Sequence, residues 1–401
     1  RDAGGALSDP IDVLAVSDPL AVRLSAEITH EDWTLYVIWQ NDYAKGEVFY
    51  SRAPLAEASN VRVWDQPRLM VPDADSAELS VDGSGSLHLF YGASDSTGRA
   101  NVIYHIRSDD SGLSWSEPAP VYGVTSEIPS AIGVSVAIDE IGRIHMGITL
   151  RSQEYGVYSE LGYIRSLDSG KTWGPYRAIA KQSEATPNVS VITPFAFGED
   201  EIHLTWHDPR RMHMWSNDGG DTWNAPIQII ELGAAFGGGN NLAKDSAGTL
   251  YVVTGVQNGI YVQSFSGSQW LVPERIESRS MDPHGQQMVV CQGNHLHVVY
   301  DDRVVEDTTV WYSHKQVEDT HRDRSPIPTT LDPAPTEPVS SGHDPTSQIT
   351  TPVVTAQPWP PSGDLSAPTS IAGGFTPVLV SIALAAVLVS SVLAFHKWRR
   401  P

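Results

Sequence analysis

Along residues 1 to 324 hydrophobic and polar positions alternate in short bursts, and one burst recurs. Leu35-Tyr36-Val37, Leu87-His88-Leu89, Ile144-His145-Met146, Ile202-His203-Leu204, Leu250-Tyr251-Val252 and Leu296-His297-Val298 share an apolar-polar-apolar order, with middle residues 52, 57, 58, 48 and 46 apart. Such period-2 alternation predicts half-buried strands. Turn sequences just ahead of the phrase, such as Asp82-Gly83-Ser84-Gly85 and Asp245-Ser246-Ala247-Gly248, predict hairpins. Six units of about four short strands each predict an all-β fold, a six-bladed β-propeller, which hides its sheet edges by radial repetition.

A second phrase falls later in three of the units. Ser108-Asp109-Asp110-Ser111-Gly112-Leu113-Ser114-Trp115, Ser166 to Trp173 and Ser216 to Trp223 all fit S-x-D-x-G-x-[ST]-W. The carboxylates of Asp110, Asp168 and Asp218 suit backbone N–H groups of a tight turn. Gly112, Gly170 and Gly220 supply its left-handed residue, and Trp115, Trp173 and Trp223 pack it onto the sheet. Ser264 to Trp270 keeps only part of the pattern, and Ser59 to Trp64 keeps less. The three copies resemble the Asp-box, or bacterial neuraminidase repeat, of the sialidase superfamily, and the resemblance covers about Ile11 to Val317. Asp-boxes are structural in that superfamily and occur in binding propellers as well as in enzymes. The three aspartates belong to separate units and so do not form one site. His88, His145, His203 and His297 likewise occupy equivalent places in different units, which implies structural hydrogen bonding and no metal site.

Propeller topology sorts the loops by direction. With strands A to D counted from the centre of a blade to its rim, A–B and C–D turns share one face, and B–C and D–A loops share the other. The resemblance puts Asp-boxes at C–D turns. The B–C loops on the opposite face carry Asp42, Asp95 with Arg99, Arg151 with Glu154 and Tyr155, His207-Asp208 with Arg210-Arg211, and Asp302-Arg303. Arginine beside carboxylate suits bidentate binding of a sugar or peptide. The D–A side adds Glu127, Glu184, Gly237 to Asn241 and Asp282-Pro283-His284.

For a sialidase the resemblance implies three arginines clamping the substrate carboxylate, an Asp as acid/base and a Tyr–Glu pair as nucleophile. Arg23, Arg210 or Arg211, and Asp42 or Asp95 are the matching candidates. No Arg closes the second strand of the first unit, where Gln40-Asn41-Asp42 stands, and Gly285 to Val290 contains no Tyr. These departures favour a surface propeller that recognises glycan or another envelope component. The alternatives are a sialidase-type hydrolase with a divergent site and an Asp-box receptor or assembly propeller. None of these readings implies a cofactor.

Composition divides the chain. Ser325 to Ser370 holds 11 of the 28 prolines, 8 Thr and 7 Ser, and residues 325–374 read as a disordered stalk. Residues 375–395 run for 21 positions without a charge, the length of a membrane-crossing helix. Lys397, Arg399 and Arg400 in the tail 396–401 orient that helix with its C-terminus in the cytoplasm and residues 1–324 outside, as a single-pass membrane protein. The chain starts at Arg1 with no signal peptide, and such an export orientation implies a processed or incomplete N-terminus. The single cysteine, Cys291, excludes internal disulfides and cysteine-based metal sites, and it is expected to be buried. The formal net charge of -22 argues against a nucleic-acid partner. The propeller is expected to be monomeric, with residues 11–17 supplying a ring-closing strand to the sixth unit.

Overall fold

The computed structural model describes residues 23–317, apart from 30–31, 42–45, 95–99, 124–129, 152–157, 182–188, 209, 230–240, 257–258, 278–282, 292–293 and 305–306. The ring-closing segment 11–17, the stalk, the apolar stretch 375–395 and the basic tail lie outside the described residues. Among the described residues there are 22 strands, two short 3-10 turns and no helix long and apolar enough to cross a membrane.

A seven-stranded antiparallel sheet opens the chain, in the order β1 (Arg23–Ile28), β2 (Thr34–Gln40), β3 (Gly46–Pro54), β4 (Arg68–Val81), β5 (Leu87–Ser94), β6 (Ala100–Ser108) and β7 (Ala119–Gly123). It is two four-stranded units that share one strand. The first half of β4, Arg68 to Ala74, pairs with β3, and the second half, Ala74 to Val81, pairs with β5, with a register shift at the joint. The two units are therefore not separate sheets, because no loop interrupts the passage from the outer strand of one to the inner strand of the next.

Two four-stranded sheets follow. One holds β8 (Ser130–Ile138), β9 (Ile144–Arg151), β10 (Tyr158–Ser166) and β11 (Arg177–Lys181). The other holds β12 (Ser190–Phe197), β13 (Glu201–Asp208), β14 (Arg210–Ser216) and β15 (Ile227–Gln228). A further four-stranded sheet holds β16 (Asn241–Lys244), β17 (Leu250–Val256), β18 (Gly259–Phe265) and β19 (Glu274–Glu277). A three-stranded sheet of β20 (Pro283–Cys291), β21 (His295–Val304) and β22 (Asp307–Gln316) ends the described chain. This all-β arrangement of four-stranded antiparallel sheets is consistent with a propeller.

The core lies between successive units. Tyr36, Ile38 and Tyr50 of the first pack with Leu79, Leu87 and Leu89 of the second, while Phe90 and Ile103 of the second pack with Ile144, Met146 and Ile148 of the third. The same alternation continues through Tyr163 with Trp206, Phe197 with Leu250, and Val262 with Leu296. The middle strands are thus covered on both faces, and Leu35 to Gln40 is buried at every position. This corrects the half-buried expectation. The polar members of the recurring phrase, His88, His145 and His203, are at most 2% exposed because a neighbouring unit covers the face that alternation alone assigns to water.

Candidate functional site

The A–B and C–D turns spend their polar groups on the fold. Asp110 accepts hydrogen bonds from the Ser114 backbone N–H at 2.9 Å, Ser114 Oγ at 2.5 Å and Ser108 Oγ at 2.8 Å. Asp168 and Asp218 repeat the pattern with Thr172 and Ser166, and with Thr222 and Ser216. The hydroxyls of Ser114 and Thr172, first among these donors, hold Asp110 and Asp168 down to about 2. Gly112, Gly170 and Gly220 have φ of +79°, +86° and +90°, the left-handed conformation that a side chain resists.

Each of these turns also closes over the preceding unit. A Cβ on Gly112 would strike Tyr50 Oη, one on Gly170 the His105 ring, and one on Gly220 Tyr163 Oη. Trp115, Trp173 and Trp223 meet the same three rings edge-on, at 5.6, 6.3 and 5.2 Å between centroids. Two residues beyond each ring stands an arginine. Arg52 donates to the Ser111 carbonyl, Arg107 to that of Ser169 at 3.5 Å, and Arg165 to that of Gly219.

The recurring histidines join this network. His88 Nδ1 lies 2.9 Å from His105 Nε2, and its Nε2 lies 3.2 Å from Asp82 Oδ2. His145 bridges Tyr163 Oη at 2.7 Å and Asp139 at 3.3 Å, and His203 bridges His213 at 2.8 Å and Glu201 at 2.9 Å. His297 Nδ1 meets Tyr312 Oη at 2.5 Å. Burial, reinforced by the His88 ring, lowers His105 to about 4, and burial also lowers His145 and His203. His105, His145 and His203 are therefore neutral rings, and the Asp82 carboxylate makes His88 Nε2 a donor. Among the described residues no three His, Cys, Asp or Glu side chains come together as a metal site.

The opposite strand ends differ. Gln40, 2% exposed at the end of β2 and paired with Arg23, donates through Nε2 to the Ala74 carbonyl at 2.5 Å, while its Oε1 has no partner among the described residues. Asn41 accepts from the Glu47 backbone N–H at 2.8 Å and donates to the Glu47 carboxylate at 2.9 Å. Arg210 and Arg211 stand opposite Asp208 and His207 in register, on opposite faces of β14. Arg210 is exposed and donates to Gln228 Oε1 at 2.9 Å. Arg211 is 3% exposed and reaches Thr254 Oγ1 of the next unit at 3.0 Å.

The backbones of Arg151, Asp302 and Arg303 end strands β9 and β21 at this same end. Asp42, Asp95, Arg99, Glu154 and Tyr155 lie outside the described residues, as do Glu127, Glu184 and Asp282.

Apart from Asn241, the polar positions in the middle of the inner strands were not singled out from sequence. Counting three residues back from the partner of the first residue of the recurring phrase on each inner strand reaches Ser25, Glu78, Ser135, Thr193, Asn241 and Gln287, every one polar. The signal is a polar residue nine positions before the recurring phrase in five units and ten in the first. Ser25 Oγ bonds the backbone of Leu79 in the next unit at 3.2 and 3.3 Å, and Glu78 accepts the Val136 N–H at 3.0 Å. Glu27 and Glu78 are each raised to about 8, both chiefly by desolvation, and Glu27 further by the charge of Glu78. They are protonated at neutral pH and able to donate as well as accept.

No family model matches the chain. A search of curated proteins found no match either. Solved structures do resemble it. A polysaccharide lyase of family PL25, an ulvan lyase, superposes with a TM-score of 0.52 at 12% identity over 73% of this chain and 81% of its own. The GH93 α-L-arabinofuranosidase of Fusarium graminearum, in complex with arabinobiose, gives 0.51 at 13% identity over 74% and 93%. A protein of unknown function from Dyadobacter fermentans gives 0.51 at 13% over 74% and 94%. At such identity the likeness is one of fold.

Proposed function

We propose that the chain is a membrane-anchored, cell-surface propeller of the sialidase superfamily, with six blades and Asp-box turns, that binds extracellular glycans or an envelope component through its B–C loop face. The observation that carries this reading is the division between the two strand ends. At one end the aspartates, histidines and glycines are committed to turns and to clasps between units. At the other, Arg210 is exposed beside the Asp208 position, and the ends of β1, β9 and β21 bring Arg23, Arg151 and Asp302-Arg303. Bidentate guanidinium and carboxylate groups suit sugar hydroxyls and uronate or sialate carboxylates. The arabinobiose-bound arabinofuranosidase and the ulvan lyase support a glycan ligand by fold.

The test is a glycan array probed with the full chain in detergent, beside turnover of fluorogenic sialosides and arabinofuranosides. Binding without turnover, weakened by Arg210→Ala, is the expected result. Turnover lost in Arg23→Ala and Arg210→Ala would install the hydrolase alternative, and neither binding nor turnover would remove the glycan reading. Recovery of the chain in the membrane fraction, abolished by removing 375–395, checks the anchor.

A further inference from the structure

Of the eight large apolar side chains that stand exposed among the described residues, seven lie at the strand ends that carry the A–B and C–D turns, Leu113, Leu167 and Val272 among them. Val191 alone lies at the opposite end, 48% exposed near the start of β12. Its backbone is unusual as well. Val191 has φ of +45°, in the left-handed region that a β-branched side chain resists most strongly.

Strand pairing shows what holds it there. Ser190 stands opposite His207 and Thr193 opposite Thr205, so Val191 and Ile192 together face the single residue Trp206. Two residues against one make a β-bulge, and glycine ordinarily takes a left-handed first position in such a bulge. The two bulged residues go opposite ways. Ile192 is 1% exposed and presses on β9 of the third unit, where a Cβ on Gly147 would meet the Ile192 carbonyl at 2.7 Å and its Cγ2 at 3.0 Å. Val191 is thereby pushed out toward solvent.

Packing of Ile192 accounts for the bulge, but it does not account for the valine. Glycine at 191 would release the backbone, and a polar residue would suit the water around it. Strain kept at an exposed position points to a role outside the fold. The position belongs to the B–C face. His207, half-buried, stands between Ser190 and Arg211 in register, and Asp208 stands opposite Arg210. Two strand spacings, roughly 10 Å, separate Val191 from the Arg210 backbone, a gap that one short glycan bridges.

We propose, on the glycan reading of this face, that Val191 is a specificity-determining contact whose isopropyl group covers a methyl group of the bound sugar. An isopropyl group is too small to cover a pyranose ring, which is the work of an aromatic side chain, and it matches a single methyl. A hydroxyl in the same place would lose water and gain no hydrogen bond. The bulge fixes the direction of the side chain, so the contact is set before the ligand arrives.

The test is a glycan array probed with the full chain in detergent, carrying two pairs that differ at one methyl group: terminal L-rhamnose against L-mannose, and N-acetylglucosamine against N-formylglucosamine. The wild type should prefer the methyl-bearing member of one pair at least about 5-fold, and the pair that responds tells a deoxy carbon from an acetamido group. Val191→Thr keeps the branch, and with it the backbone strain, and should abolish the preference. Val191→Gly should abolish it too, with a melting midpoint unchanged or raised by up to about 4 °C as the strain is released. Binding without a methyl preference, a preference that survives both substitutions, or a midpoint that falls by several degrees in Val191→Gly would overturn the proposal and leave the glycan reading standing. Binding to no glycan would remove that reading and the proposal together.

Discussion

Glu27 and Glu78 supply one component of the pH response of the chain. Their carboxyls ionise near 8 in the fold, against an ordinary value of 4.5. Between those two values the unfolded chain has already lost protons that the folded one retains, so the contribution of these two groups to stability falls as pH rises from about 5 to 8, while the lowered pKa of buried His105, His145 and His203 contributes in the opposite sense below about 6.5. Both side chains are only partly shielded from solvent, which tempers the effect. Glu27→Gln and Glu78→Gln are expected to raise stability at pH 8 by about 2 kcal/mol each, with no gain at pH 4.5. Thermal melts across that range check this, and parallel curves for wild type and variants would refute it. Gly170→Ala should cost about 3 kcal/mol, since it combines a left-handed backbone with a Cβ driven into His105. Gly174→Ala, where the nearest atom is an ordinary contact, is the control for denaturant melts.

The strand phrases and the S-x-D-x-G-x-[ST]-W turns were legible because each is local: alternation makes the strand, and an Asp, a Gly and a small hydroxyl make the turn. What the turns hold was not legible. Tyr50, His105 and Tyr163 lie about 60 positions from the glycines that cover them, and only inter-unit packing relates the two. Burial of the polar phrase residues was missed for the same reason, since alternation reports one face and says nothing of a neighbour on the other. The strand-end arginines were legible as residue types, but their division into exposed Arg210 and buried Arg211 comes from strand parity and the adjoining unit. Arg165 offers a test at this scale. Arg165→Ala removes the donor to Gly219 and the ion pair with Asp221, and should cost about 1–3 kcal/mol. Combined with Trp223→Ala its effect should be less than additive, because both act on one turn. Strict additivity in a double-mutant cycle would deny the shared clasp.

For the molecule as a whole, charge opposes the arginine-bearing strand ends. Residues 1–324 carry nearly all of the formal net charge of -22, so the long-range field repels an anionic glycan while Arg210 and its neighbours attract one at contact. The two effects respond to salt in opposite directions. Screening over about 10 Å at 0.1 M removes the distant repulsion, and it also weakens the attraction to exposed guanidinium groups. A neutral glycan feels neither. If recognition runs through the arginines, the wild-type affinity for a uronate- or sialate-bearing glycan should fall about 3-fold between 20 and 200 mM salt, contact attraction outweighing the background. Arg210→Ala should weaken binding and make that slope less steep, since less contact attraction remains to be screened. Binding of neutral glycans should be unchanged by salt in both proteins. Titrations of the full chain in detergent against the two glycan classes measure the four slopes; an identical salt response in wild type and Arg210→Ala would place the anion's contacts away from Arg210.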